Sequence, residues 1–224
     1  MRANSILVVA AHPDDEVLGC GGLIARKRLE GSPVHVAYLT DGSESHPNHP
    51  TLTPEAVAEM RESEARRAMR LLGVESTALV FLKARDGRLA HLDAAAATGL
   101  MEKIAGVLKE VGPDEIFLPF HHDGSSEHDA AFRLVAAALA QAKLKTRIFA
   151  FPVWSWWNPL LLIRPLFTSR KVWRSDSLGY GHIKEKALAT YASQVEPTPP
   201  WTTPVLSGEF VSFFSSPEEF FFEI

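Results

Sequence analysis

The chain has 224 residues, of which 46% are hydrophobic and 22% charged, with a formal net charge of −4. These values exclude a disordered chain and disfavour a general nucleic-acid binder, which carries a basic stripe. The single cysteine, Cys20, excludes an intrachain disulfide framework and suits a reducing, cytoplasmic compartment.

The apolar run Ile6–Ala10 reads as a strand buried on both faces, with the strand spanning residues 5–10. It ends in His12 and acids rather than in a small-residue cleavage site, so no signal peptide is expected. Val17, Leu18, Leu23 and Ile24 predict a helix that stops near Arg28, before Gly31-Ser32-Pro33. Val34 to Thr40 is a second strand, closed by Asp41-Gly42-Ser43, and the polar stretch Glu44 to Pro50 is expected as an exposed loop. Thr53 caps the next helix with Pro54 in its first turn, and Gly73 stops it. Ala78 to Leu82 is a third strand. Asp93 caps a helix that ends at Gly112, and Ile116 to Pro119 is a fourth strand. Ser126 to Ala142 is a helix with the cap pattern Ser126-x-x-Asp129, and Arg147 to Val153 is a fifth strand.

Strands alternating with helices predict an α/β fold: a Rossmann-like, mainly parallel sheet with helices on both faces. One domain is expected over 1–224, with a core of about 5–153 and a less regular extension of about 154–224. Ligands in such sheets bind at the carboxyl ends of strands. His12 to Asp15, Thr40-Asp41 and the loop after Pro119 all fall there.

The run Ala11-His12-Pro13-Asp14-Asp15-Glu16 crowds an imidazole and three carboxyl groups against a core strand. A metal turns mutually repelling acids into ligands. A catalytic zinc takes three protein ligands and leaves one position open. His12 and Asp15 can supply two, and the segment His121 to Asp129 offers the third. Asp14 stands between the first two ligands as a candidate general base. Glu16 falls in the first helical turn, where the helix dipole favours a carboxylate.

Ala11 to Glu16 followed by Gly19-Cys20-Gly21-Gly22 resembles the first motif of the LmbE-like family of zinc-dependent N-deacetylases. That family includes the PIG-L N-acetylglucosaminyl-phosphatidylinositol deacetylases and the deacetylases of thiol-sugar biosynthesis. Weaker matches follow in order: Thr40-Asp41-Gly42, Arg61-x-x-Glu64, Asp86-Gly87-x-Leu89, Lys184-x-x-Ala187 and Tyr191-x-Ser193-Gln194. The resemblance implies a hydrolase that removes the acetyl group of an N-acetylated amino sugar or its conjugate. It implies Zn2+ held by His12, Asp15 and His128, although the same donors accept iron(II) or cobalt, and it makes Asp14 the base.

The chain departs from the family where a His-Pro-Asp-His motif would stand, reading Ser125-Ser126-Glu127-His128. Ser125 takes the place of a histidine that stabilises the oxyanion or protonates the leaving amine, and Glu127 that of its aspartate partner. A serine hydroxyl donates a hydrogen bond but carries no cation. Either His121, His122 or His182 supplies the missing group, or the chain is a sugar-binding homologue with weak turnover. An amidase acting on a larger conjugate is a further alternative. Arg61, Asp86 and Asp41 are expected to bind substrate; the bland alternative for Arg61 is a surface ion pair with Glu64.

Cys20 is expected as a small buried residue, and Gly19-x-Gly21-Gly22 is not a dinucleotide fingerprint. The Trp-rich segment Trp154 to Trp173 suits a pocket wall or a homo-oligomer interface more than peripheral contact with a membrane. The Phe-rich tail, Phe210 to Phe222, is expected to pack as an added strand or to cover an interface.

Overall fold

The computed structural model describes residues 4–158, 160–161, 171–176, 179–216 and 218–224. Strands β1 (Ile6–Ala10), β2 (Val34–Thr40), β3 (Leu79–Ala84), β4 (Glu115–Pro119) and β5 (Arg147–Phe151) run parallel in one sheet. Two further strands, β6 (Lys171–Asp176) and β7 (Glu218–Glu223), complete it, with β7 antiparallel to both β5 and β6. The seven strands lie in the order β3-β2-β1-β4-β5-β7-β6. The end of the Phe-rich tail therefore does add a strand, whereas Phe210, Phe213 and Phe214 lie in short helical turns over Gly208–Ser212 and Phe213–Ser215. The fifth strand ends two residues earlier than expected, at Phe151, and the edge strand β6 carries no clear sequence signal.

β1 is apolar on both faces because both are covered. Ile6, Val8 and Ala10 join a core with α1 (Asp15–Leu29), α2 (Pro54–Leu71) and the C-terminal residues Phe210, Phe214 and Phe221. Leu7, Val9 and Ala11 face α3 (Ala94–Val111) and α4 (Ser126–Ala142). The chain steps outward from β1 to β3, then returns to place β4 against the other side of β1. This reversal opens a crevice at the carboxyl ends of β1 and β4, where open α/β sheets bind ligands.

The glycine run in α1 is a packing device. A Cβ on Gly19 would overlap the Phe151 ring, so only glycine lets the helix close on β5. Cys20 beside it is fully buried. Glu219 of β7 accepts from the backbone N–H groups of Gly22 and Leu23, each at 2.8 Å, and from Lys184 Nζ at 2.9 Å. Lys184 lies on α5 (Gly181–Ala189), so this buried carboxylate ties α1, α5 and the last strand together.

Two expectations need correction. The stretch Glu44 to Pro50 is exposed only in part: Pro47, Asn48 and Pro50 are exposed, but His46 and His49 are buried against Trp201, with ring centroids at 5.2 and 5.0 Å. A stacked indole shields the imidazoles that composition alone assigned to water. The cap of α4 is Ser125, one residue earlier than the pattern suggested, and its Oγ accepts from His128 N at 3.4 Å.

Candidate metal centre and active site

The turn after β1 places His12, Asp14 and Asp15 at the crevice. Asp14 has φ 133°, a conformation L residues avoid and one that costs on the order of 1–3 kcal/mol. Neighbours hold it there. Glu16 Oε2 accepts the Asp14 N–H at 3.0 Å, and Tyr191 donates its hydroxyl to Glu16 Oε1. Arg61 donates to the carbonyl of Pro13 and, at 2.9 Å, to Asp14 Oδ2. Gly42 completes the arrangement. It adopts φ 67°, and a Cβ there would stand 2.8 Å from Arg61 Cδ, so the Thr40-Asp41-Gly42 motif makes room for this guanidinium.

His12, Asp15 and His128 converge, with one donor atom from each lying within 4.8 Å of the others. His12 Nδ1 is 3.5 Å from Asp15 Oδ2, and His128 Nε2 is 3.4 Å from Asp15 Oδ1. His128 Nε2 is fully buried without a hydrogen-bond partner, which a protein interior rarely tolerates unless the atom has a ligand to meet. The far nitrogen of each imidazole rests on a carboxylate: His12 Nε2 lies 3.1 Å from Asp86 Oδ1, and His128 Nδ1 lies 2.8 Å from Asp123 Oδ2. Carboxylates in that position fix the tautomer and orientation of metal-ligating histidines. Two imidazoles and a carboxylate with one open side suit zinc.

His12, Asp86 and Glu127 also bring donor atoms within 4.8 Å of one another. They use the other face of His12, with Glu127 Oε2 3.9 Å from His12 Nε2. A neutral imidazole ligates through one nitrogen and keeps a proton on the other, so the two triads are alternatives. Each holds a buried side-chain atom without a hydrogen-bond partner, His128 Nε2 in the first and Glu127 Oε2 in the second, and the first supplies the two imidazoles that suit zinc.

Electrostatics fits a site built for a cation. Burial opposes the charging of His12, but Asp15 and Asp86 outweigh it and push its pKa up to about 10. Burial likewise opposes His128, and Asp15 and Asp123 push it up to about 9. Protons on the imidazoles thus supply the positive charge the carboxylates demand. Burial would raise Asp15, but His128 and His12 hold its carboxyl well below the usual range. Burial raises Asp14 to about 7, with Arg61 opposing, which is the range of a useful general base. Burial also raises Glu16 to about 8, so desolvation outweighs the expected helix-dipole benefit.

A cavity of about 460 Å3 opens over these groups. His12, Asp14, Asp15, Arg61 and Asp86 line its polar side together with Gln194. Ser125 and Ser126 also line it.

The profile of the PIG-L family, GlcNAc-PI de-N-acetylase, matches residues 7–139. The chain belongs to this family. A curated relative from Thermobifida fusca, a 1D-myo-inositol 2-acetamido-2-deoxy-alpha-D-glucopyranoside deacetylase, is 28% identical over 63% of this chain and 56% of its own length. The chain thus spans just over half of that relative. A probable N-acetyl-alpha-D-glucosaminyl L-malate deacetylase from Bacillus cereus is 27% identical over 63% of this chain and 64% of that one. Among solved structures, a conserved protein from Thermus thermophilus superposes with a TM-score of 0.63 at 29% identity, covering 85% of this chain and 80% of that chain. The N,N'-diacetylchitobiose deacetylase of Pyrococcus horikoshii shares the fold, with a TM-score of 0.68 at 21% identity over 86% and 71% of the two chains.

Within this PIG-L family member the motif residues take distinct places. Arg61 is buried, and its bonds go to Asp14, Pro13 and Gly42 rather than to Glu64, which instead accepts from Ser193 N and Oγ at 2.8 and 2.6 Å. Asp41 is not in the cavity lining. Its Oδ1 accepts from Ser43 N and Asp86 N at 3.0 and 3.1 Å, so it organises the loop that aims Asp86 at His12. Glu127 Oε1 accepts from Ala90 N at 3.3 Å.

The expected replacement histidines do not reach the site. His182 is exposed in the first turn of α5, His122 is exposed, and His121 packs on Phe132 with ring centroids at 4.2 Å; none lines the cavity. The carboxylate behind His128 carries no local sequence signal of its role. Asp123 is fully buried, and beyond His128 it accepts the N–H groups of Val153, Trp154 and Ser155. Gln194 stands in the last family motif, which by itself assigns it no role. Its Nε2 donates to Ser193 Oγ at 2.8 Å, and the residue lines the cavity.

Proposed function

We propose that this chain is a zinc-dependent N-deacetylase that removes an acetyl group from an amino sugar or amino-sugar conjugate. The observation that carries the reading is the convergence of His12, Asp15 and His128 beside the raised carboxyl of Asp14 at the sheet's switch point. The names of the relatives from Thermobifida fusca and Bacillus cereus support the substrate class.

His12, Asp15 and His128 are the residues that would hold the metal, which when bound supplies Lewis acidity to an amide carbonyl and to water. Asp14, held by Arg61, takes the proton of the attacking water and returns it to the departing amine nitrogen. Ser125 Oγ already accepts from His128 N, which leaves its hydroxyl proton to donate to the carbonyl oxygen as negative charge develops there. Asp86 and Asp123 keep the two imidazoles in place, Asp41 positions Asp86, and Gln194 faces the sugar. Glu127 packs behind His12. His182 has no part in this reading.

Ser125 in place of a histidine favours one second reading, a sugar-binding homologue with little turnover. Acetate release from methyl 2-acetamido-2-deoxy-glucopyranoside, by protein loaded with one equivalent of zinc, separates the two. Release that is lost on chelation supports the hydrolase. Binding of the glycoside without release supports the binder.

A further inference from the structure

We infer that the amino sugar taken by this site carries an apolar aglycone, an alkyl chain or aryl group, which lies along an aromatic wall leading from the cavity to the surface. The inference rests on reading the cavity as an amide-hydrolysing site and adds the nature of the group attached to the sugar.

The cavity has an apolar lining besides its charged groups, made by Leu18, Val153, Trp154, Val205, Leu206 and Phe210. These side chains offer sugar hydroxyls little to bond. The apolar side continues beyond the cavity. The Trp154 ring lies tilted against Phe210 at 4.8 Å, Trp157 lies 6.0 Å from Phe210, and Phe213 lies 6.0 Å from Trp157. Phe210 is buried beneath, whereas Trp157 is 50% and Phe213 46% exposed. Leu161 joins at the rim, with its Cδ1 against the cavity-lining Gly124.

A contiguous exposed aromatic surface marks a binding site more often than chance exposure does. Here it is continuous with the cavity, so one molecule can occupy both. An amide placed at Asp14 directs the rest of its molecule either into water or along this wall. The chemistry of the wall selects the ligand. Residues 153–161 carry no charged side chain, and residues 205–216 carry only Glu209. A phosphate or carboxylate aglycone would need cationic partners, and the described residues of this wall offer none. An alkyl or aryl group needs only apolar area to cover.

The test compares octyl and methyl 2-acetamido-2-deoxy-β-D-glucopyranoside, with the octyl glycoside kept below its micelle-forming concentration. Tryptophan fluorescence reads binding whether or not turnover occurs. The octyl glycoside is expected to bind at least about tenfold more tightly than the methyl glycoside. Trp157→Ser and Phe213→Ser should each cut that ratio several-fold, and the double variant should bring it near one. Both side chains are half-exposed, and thermal melts check that the variants fold.

Equal binding of the two glycosides by the wild-type protein would overturn the inference, as would an undiminished octyl preference in the double variant. Sedimentation with phosphatidylcholine vesicles that Trp157→Ser abolishes, without any octyl preference, would make the wall a membrane contact and also overturn it. Failure of the hydrolase reading looks different: neither glycoside releases acetate, while the binding ratio still decides the aglycone.

Discussion

Asp123 Oδ2 lies 2.8 Å from His128 Nδ1, and the same carboxylate accepts three consecutive backbone N–H groups, those of Val153, Trp154 and Ser155. One buried anion thus fixes a metal-ligand candidate and pins the segment after β5 beside it. Asp123→Asn keeps the shape but turns one oxygen into a donor that faces other donors. Zinc affinity, measured by competition with a chromophoric chelator, is expected to fall about 10- to 100-fold. Unchanged affinity would remove Asp123 from the account.

The metal-free protein should lose stability as pH rises. His12 and His128 are raised to about 10 and about 9 in the folded state from an ordinary value of 6.5. Their contribution is complete below pH 6.5 and is lost as pH climbs through 9 to 10. Asp14 and Glu16, raised to about 7 and about 8, act in the same direction, because the folded state holds their protons longer than the unfolded chain does. Asp15 is lowered, so its contribution is present above its ordinary 3.8 and fades in stronger acid. Chelator-treated protein should therefore melt highest between about pH 4 and 6.5. A melting temperature that rises steadily from pH 6 to 9 would contradict this ionisation scheme.

Metal loading should release protons, because imidazolium cannot ligate. Calorimetric zinc titrations near pH 8, run in two buffers of different ionisation enthalpy, should report proton release approaching two per ion, one from each histidine. Release of no protons would mean that the histidines are already neutral.

Arg61→Lys tests the hold on Asp14. A lysine ammonium cannot reach Pro13 O, Gly42 O and Asp14 Oδ2 together, as the planar guanidinium does. With Asp14 released from its strained pose, kcat is expected to fall by about 100-fold while zinc content stays the same. Retention of wild-type kcat would show that the pose of Asp14 does not need Arg61.

Glu219→Ala should act on stability alone. It leaves Lys184 buried without its partner and orphans the Gly22 and Leu23 N–H groups. A loss of about 3–5 kcal/mol in urea unfolding is expected. A loss below about 1 kcal/mol would mean that water or another group takes its place.

What the sequence disclosed follows from how far each residue's role depends on its neighbours in the chain. β1 and β4 were legible because burial on both faces makes an unbroken apolar run. His12, Asp14 and Asp15 were legible because four positions of one turn hold all three. The role of Asp123 was not, since its partners at 153–155 stand thirty residues away. The burial of His46 and His49 depends on Trp201, which a local reading of a polar stretch cannot see. The edge strand β6 holds only two apolar residues, Val172 and Trp173, adjacent rather than alternating, and with Val172, Trp173 and Arg174 all exposed it carries little of the signal that marks a core strand. Residues 159 and 162–170 of the Trp-rich segment lie outside the described residues, and its described part supplies a cavity wall at Trp154.

The most direct test of the central claim is a paired measurement on wild type, Asp14→Asn and His128→Ala: bound zinc, and acetate released from methyl 2-acetamido-2-deoxy-glucopyranoside. The account predicts one zinc and turnover in the wild type. It predicts full zinc with turnover reduced by at least about 100-fold in Asp14→Asn, and loss of both in His128→Ala. Wild-type turnover in Asp14→Asn, or full zinc in His128→Ala, would contradict it.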